Sequence, residues 1–342
     1  MPDQANSARK PRRIMALAAI FVAVAGLASP VRSEPSVGDV LGAIVRVQSE
    51  IDPAARTANS LGLEREGHGV VIDSSGLVLT VGYLILEAVS VTVTGPRGAR
   101  QPARVIAYDH NTGFGLLRAA RPLLVTPMRR GDSSALKVGS NIVVIGSGGI
   151  KTAIRARVVA RRDFAGYWEY LLPDAIFTQA LFRDFLGVAL VDTAGKLVGI
   201  GSLIVRDVQQ QARMNPANMF LPIEALKQIL GQLLATGRSK SPRRLWIGVY
   251  TREHGNRVLV TRLADEGPGA VAGVAPGDII VAVDGKPVRG QIDFYRKIWA
   301  LGGLVSPSRR SFCARMAHSP RSRSHRATVT TGCASAPRPD PV

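Results

Sequence analysis

Cleavage of a peptide bond by a side-chain nucleophile needs a hydroxyl or thiol, an imidazole that takes its proton, and a carboxylate that orients the imidazole. Between residues 64 and 237 this chain offers two imidazoles, His68 in "GHGVVID" and His110 in "DHNTG". His110 follows Asp109 but reads as a turn or surface residue, and His68 reads as a strand residue. Gly131-Asp132-Ser133-Ser134 sets a hydroxyl beside a carboxylate, yet Ala135-Leu136 follow, and the stretch reads as a turn entering a strand. Cys313 and Cys333 both lie beyond residue 304, so the central chain has no thiol nucleophile and no disulfide framework. No His, Cys, Asp or Glu spacing suggests a metal, and no cofactor is expected. One further feature asks for an explanation. In "GLVLTVGYLILEA", residues 76–88, a run of β-formers breaks at Gly82, and the bend lifts Tyr83, a large aromatic with no local reason to be there.

The elements that must position these groups are mostly short strands. "GHGVVID", "LVLTV", "VSVTVTG", "ARVIAYD", "NIVVIGS" and "ALVDTAGKLVGIGSLIV" are β-rich runs bounded by Gly, Asp and Ser. Helical spacing becomes clear only in "PIEALKQILGQLLATG", residues 222–237. There Pro222 opens a helix, Ile223, Leu226, Ile229, Leu230 and Leu233 share a face, and Gly237 ends it. Residues of about 60–221 therefore read as an all-β unit closed into barrels, with the helix as its end-piece. "RSKSPRR", residues 238–244, reads as a polar linker.

The formal net charge is +19, of which +4 falls in residues 1–33 and +6 in residues 305–342. No aromatic-interleaved basic stripe is present, so nucleic acid is not expected as a partner. Arg9, Lys10, Arg12 and Arg13 precede the apolar run at 14–28, which is short for a membrane span, and small residues stand at Val31 and Ser33. This pattern predicts a secretory signal over 1–33, with an uncleaved anchor as the alternative. A secreted or periplasmic location and no stable membrane span after cleavage follow from it.

The most specific stretch is "RVLVTRLADEGPGAVAGVAPGDIIVAVDGKPV". Pro276-Gly277-Asp278 turns the chain into an apolar strand, and Asp284-Gly285 makes a tight hairpin. "QIDFYRKIWALG" then supplies an amphipathic helix. This segment resembles the PDZ domain of the HtrA-type serine proteases. The resemblance implies a groove that takes an extended peptide by strand addition. It also implies a carboxylate-binding loop at Trp246, Ile247, Gly248 and Val249, with Phe294 and Ile298 on the helix side of the groove. The alternative for all of these apolar residues is plain core.

The β unit in turn resembles the trypsin-like double six-stranded β-barrel of the same family, in "GHGVVIDSSGLVLT", "AYDHNTGFGLLRA", "GDSSALKVGSNIVVIG", "GVALVDTAGKLVGIGS" and "NMFLPIEALKQIL". The fold class expected is thus mainly β, a double barrel followed by a small, truncated α+β PDZ domain. The resemblance places the family's His at Tyr83, its Asp at Gly113 and its Ser at Leu186. Asp184-Phe185-Leu186-Gly187 stands where the family has a glycine-rich nucleophile turn. A phenol titrates near 10 and is a poor base at neutral pH, glycine has no carboxylate, and leucine has no nucleophile. The domain boundaries that follow are signal 1–33, lead-in 34–63, double barrel 64–237, linker 238–243, PDZ domain 244–304 and basic tail 305–342.

Two regions stay outside this scheme. "DFAGYWEYLLPDAIFTQALF", residues 163–182, is dense in aromatics and reads either as core or as an apolar ligand surface. The tail, with seven Arg, seven Ser and five Pro, reads as disordered. The change after Leu304 suggests a frame shift or truncation that removes a strand from the PDZ sheet. Two function classes remain. The first is a pseudoprotease that binds peptides or unfolded envelope proteins through its PDZ groove, with a homo-oligomer as one expected form. The second is an active HtrA-type endopeptidase of periplasmic protein quality control. A degenerate product without function is a third option.

Overall fold

The computed structural model describes residues 35–206, 216–242, 244–301 and 316–319. The expected signal segment lies outside the described residues, as does most of the expected tail. Among the described residues no helix is long and apolar enough to cross a membrane.

Twelve strands close into two six-stranded barrels. The first contains β1 (Ile44–Ile51), β2 (Glu64–Val71), β3 (Leu77–Val81), β4 (Ala88–Thr94), β5 (Arg100–Tyr108) and β6 (Phe114–Ala119). The second contains β7 (Asn141–Ile145), β8 (Ile154–Gly166), β9 (Tyr170–Gln179), β10 (Ala189–Val191), β11 (Leu197–Val205) and β12 (Ala217–Pro222). β1 lies within 34–63, which had been expected to be only a lead-in. Its alternation of Ile44, Val45, Val47 and Ile51 with exposed Arg46 and Glu50 buries one face against β2 and β4. The barrel domain therefore begins near Ile44.

All five residues of β3 are buried, because β3 pairs with both β2 and β6 in the closed wall. The β3–β6 register sets Val81 opposite Phe114 and so brings the Gly82–Leu84 turn beside Gly113, whose carbonyl accepts the Gly82 N–H at 2.7 Å. In the second barrel Ala189 lies opposite Ile145, which draws the loop after β7 against the loop before β10. The helix Ile223–Thr236 follows β12, buries Ile223, Leu226, Ile229 and Leu233, and ends at Gly237 in the left-handed conformation, as its spacing predicts.

A separate sheet follows, built from β13 (Val249–His254), β14 (Arg257–Leu263), β15 (Ile279–Val283) and β16 (Lys286–Pro287), with the helix Gln291–Ala300 packed on it. A further strand, β17 (Met316–Ser319), runs antiparallel to β15. The expectations of a disordered tail and of a PDZ sheet short of a strand are corrected at these four residues. Strand pairing depends on backbone amides as well as on side-chain alternation, so a segment without an apolar pattern can still join a sheet.

Candidate functional site

Three segments carry the residues that the resemblance sets at the catalytic positions: the turn after β3, the turn before β6 and the loop before β10. Tyr83 stands on the first, and its hydroxyl donates to the Ser202 carbonyl on β11. Burial pushes the phenol well above its ordinary range, so it is protonated at neutral pH. Gly113 stands on the second turn, next to Gly82. A Cβ built on Gly113 would lie 2.9 Å from the Tyr170 hydroxyl, which donates to the Thr112 carbonyl at 2.8 Å. Leu186 stands on the loop before β10. Its carbonyl accepts the His68 N–H at 2.7 Å, and its side chain packs on the barrel core. Gly82–Tyr83 and Gly113 thus lie side by side, while Leu186 lies against β2 at Gly67 and His68.

A second polar cluster spans the barrels there. His68, 5% exposed on β2, reaches from the first barrel to two loops of the second. Its Nδ1 lies 3.0 Å from the Ser147 Oγ and also accepts the Ser147 backbone N–H at 3.0 Å. An imidazole nitrogen that accepts an amide proton carries none itself, so the ring proton is on Nε2. Nε2 donates to the Asp184 carboxylate at 2.9 Å. Burial holds the imidazole below its usual range despite the neighbouring carboxylate. The Phe182 ring meets His68 edge-on, and the Asn218 amide clamps both the N–H and the carbonyl of Phe182. Sequence reasoning weighed His68 but did not join it to Ser147 or Asp184. Only the fold could do so, since 79 and 116 positions separate the pairs. His110 lies in a turn with its ring against Tyr108, and the Gly131–Ser134 stretch forms a short helical turn capped by Asp132.

The second candidate site is the loop before β13. Trp246 is 54% exposed, whereas Ile247 and Val249 are buried. Gly248 has φ +71°, and a Cβ there would lie 3.2 Å from the Gly267 Cα and 3.3 Å from the Ala264 Cβ, so glycine suits both the turn and the space. The amides of Ile247 and Val249 point at one carboxylate, the side chain of Glu169, each at 2.9 Å. Burial pushes this carboxyl up to about 7, against the lowering effect of the amides of Ile247, Val249 and Gly248. Phe294 and Ile298 are fully buried and share a cluster with Ile247, Val249 and Leu171 of β9. They do not line an open groove, because the β8–β9 hairpin covers them. Of the aromatic stretch at 163–182, Tyr170 is buried while Tyr167 and Trp168 remain exposed near the hairpin tip. Sequence reasoning missed Glu169, and the neighbouring aromatic density was the only signal near it.

Among the described residues no group of three or more His, Cys, Asp or Glu side chains is placed to hold a metal ion.

The trypsin-like peptidase domain family matches residues 67–200, and the PDZ domain family matches residues 259–300. The chain is 28% identical over 289 residues to the serine protease PepD of Mycobacterium tuberculosis, covering 78% of this chain and 61% of that one. It is 25% identical over 241 residues to the periplasmic serine endoprotease DegP of Escherichia coli, covering 65% of this chain and 49% of that one. The chain thus spans about half to three-fifths of the length of these curated relatives. A solved structure titled HtrA-type protease AlgW with tripeptide aligns at a TM-score of 0.50 and 18% identity, over 84% of this chain and 93% of that one. The chain has an HtrA-type serine protease fold, a trypsin-like double barrel followed by a PDZ domain.

Proposed function

We propose that this protein is a peptide-binding pseudoprotease of the cell envelope, in which Tyr83, Gly113 and Leu186 occupy the seats of the catalytic His, Asp and Ser. The observation that carries the reading is Leu186, a hydrocarbon side chain packed on the core at the tip of the loop before β10. Tyr83 supports it, since its phenol is a protonated donor engaged with the Ser202 carbonyl. The 247–249 amides, already gathered on a carboxylate, support recognition of peptide C-termini. The periplasmic naming of two relatives supports an envelope location.

One observation favours the other class. Ser147, His68 and Asp184 form a hydroxyl–imidazole–carboxylate chain between the two barrels, an arrangement that nucleophilic catalysis uses. Two features argue for a structural tie instead. The Nδ1 lone pair that would take the hydroxyl proton is already shared with the Ser147 amide, and the ring is shut in beneath Phe182. A fluorophosphonate probe and digestion of unfolded casein by the full chain separate the readings. The pseudoprotease reading expects neither labelling nor cleavage. Labelling that disappears in Ser147→Ala would establish the relocated triad, and labelling of any other serine would establish an active serine peptidase.

A further inference from the structure

The Glu169 contact is more than one hydrogen bond at a domain boundary. β8 and β9 form a hairpin whose turn is Tyr167-Trp168-Glu169, and this turn sits on the strand edge and loop that the PDZ reading assigns to a peptide. The Tyr167 carbonyl accepts the Thr251 N–H of β13 at 3.0 Å, the kind of backbone bond an added strand makes. Two residues later, the Glu169 carboxylate takes the Ile247 and Val249 amides. A carbonyl paired with the strand and a carboxylate chelated by the loop, two residues apart and running antiparallel to β13, is the pattern that an extended peptide with a free C-terminus would present.

The opposite side of the groove holds the turn as well. The Tyr295 hydroxyl donates to the Gly166 carbonyl at 2.8 Å and accepts the Glu169 N–H at 3.2 Å. The Gln291 Nε2 donates to the same Gly166 carbonyl at 3.2 Å. Leu171 enters the apolar cluster with Phe294 and Ile298, and Asp163 forms an ion pair with Arg296 on the helix. Glu169 itself has φ +59°, a left-handed conformation that a non-glycine residue adopts at a cost and that surrounding contacts must hold.

We infer that the 166–169 turn is an internal ligand of the PDZ groove, with the Glu169 side chain in the place of a peptide C-terminal carboxylate, and that peptide binding requires the turn to withdraw. The inference rests on the reading of residues 246–249 as a carboxylate-binding loop. An occupant tethered in the same chain acts at a high effective concentration, on the order of millimolar for short connections, so it lowers the apparent affinity of every competing peptide. Release of the turn removes that competition and tightens binding by the factor by which the closed form had been favoured.

The test uses the full chain and an equimolar pool of labelled decapeptides ending in Val, Ile, Leu or Phe, with a free α-carboxylate or as C-terminal amides. Binding is followed by fluorescence anisotropy for wild type, Glu169→Gln and Glu169→Ala, with circular dichroism as the check on folding. The free-carboxylate pool should bind both variants at least about ten-fold more tightly than wild type, the factor for a ten-to-one closed form, and the amidated pool should bind every form more weakly than the free-carboxylate pool. A second measurement uses wild type alone, by amide hydrogen exchange read by mass spectrometry. Saturating peptide should speed exchange in the segment 166–170, since the turn must leave as the peptide enters. Equal affinity of wild type and both variants, or unchanged exchange on binding, refutes the internal ligand and leaves the carboxylate loop standing. Failure of the pool to bind any form at millimolar concentration removes the carboxylate loop and the internal ligand together.

Discussion

Replacement of Gly113 by Asp returns a carboxyl to the seat assigned to the catalytic acid, and the structure sets what that change costs. Gly113 has φ +84°, and a non-glycine residue held there loses about 1–3 kcal/mol. The new Cβ would lie 2.9 Å from the Tyr170 hydroxyl, which cannot swing aside freely. Tyr170 is buried, and its ring stacks on Trp168 with centroids 5.7 Å apart and planes 8° from parallel. Displacing the hydroxyl forfeits its bond to the Thr112 carbonyl, about 1 kcal/mol. Gly113→Ala should therefore lose roughly 2–3 kcal/mol once the reduced freedom of the unfolded chain offsets part of the strain. Gly113→Asp should lose more, because its carboxyl also gives up water. Urea unfolding of the full chain by tryptophan fluorescence reads this directly. A Gly113→Asp variant within about 0.5 kcal/mol of wild type, the range of an unconstrained surface change, would refute the claim that Tyr170 has closed the acid seat.

Other outcomes follow from the same contacts. Burial lowers the His68 pKa in the fold below the unfolded value near 6.5, so the folded state binds fewer protons as pH falls through that value. Its stability contribution is complete above about pH 6.5 and is lost as pH falls below it; His68→Gln should flatten the pH 7-to-5 decline in unfolding free energy, and an undiminished decline would assign it to other groups. Tyr83→Phe removes the donor to the Ser202 carbonyl and should cost about 1 kcal/mol of unfolding free energy, read by urea unfolding; an unchanged midpoint would mean that the bond adds nothing to stability. Tyr295→Phe removes the hydroxyl shared by Gly166 and Glu169 and should speed exchange of the Glu169 amide several-fold, while unchanged exchange would mean the hydroxyl does not hold the turn.

Much of the architecture was legible because local chemistry and tertiary demand agree. Ile223, Leu226, Ile229 and Leu233 repeat at helical spacing and are all buried, and Gly237 stops the helix in the conformation glycine tolerates best. β1 was missed as a barrel strand because Arg46, Gln48, Ser49 and Glu50 dilute its apolar alternation, although closure of the barrel buries every second position. β17 was missed because its partner is β15, whose edge offers amides irrespective of the incoming side chains. The site residues divide in the same way. The assignments of Tyr83, Gly113 and Leu186 rest on motifs that stay contiguous in sequence. The Ser147–His68–Asp184 chain and the Glu169 contact do not, because each depends on loops that meet only after both barrels have closed.

The end of the β8–β9 hairpin connects the two candidate sites. Glu169, the last residue of the hairpin turn, and Tyr170, the first residue of β9, meet different partners. The Glu169 carboxylate lies on the amides of Ile247 and Val249, and the Tyr170 hydroxyl lies on the Thr112 carbonyl against Gly113. The hairpin turn whose carboxylate meets the 247 and 249 amides thus leads into the strand whose first side chain meets Gly113. Withdrawal of Glu169 pulls on the residue whose ring stacks on Trp168 and packs near Phe164. In a working peptidase that linkage would carry ligand occupancy to the catalytic positions. On the pseudoprotease reading the Tyr170 end meets only a glycine, so movement of the turn frees the 247–249 amides without supplying a nucleophile. Peptide affinity in Glu169→Gln should therefore rise while casein digestion stays absent, and a rise in both would show that the hairpin still controls chemistry.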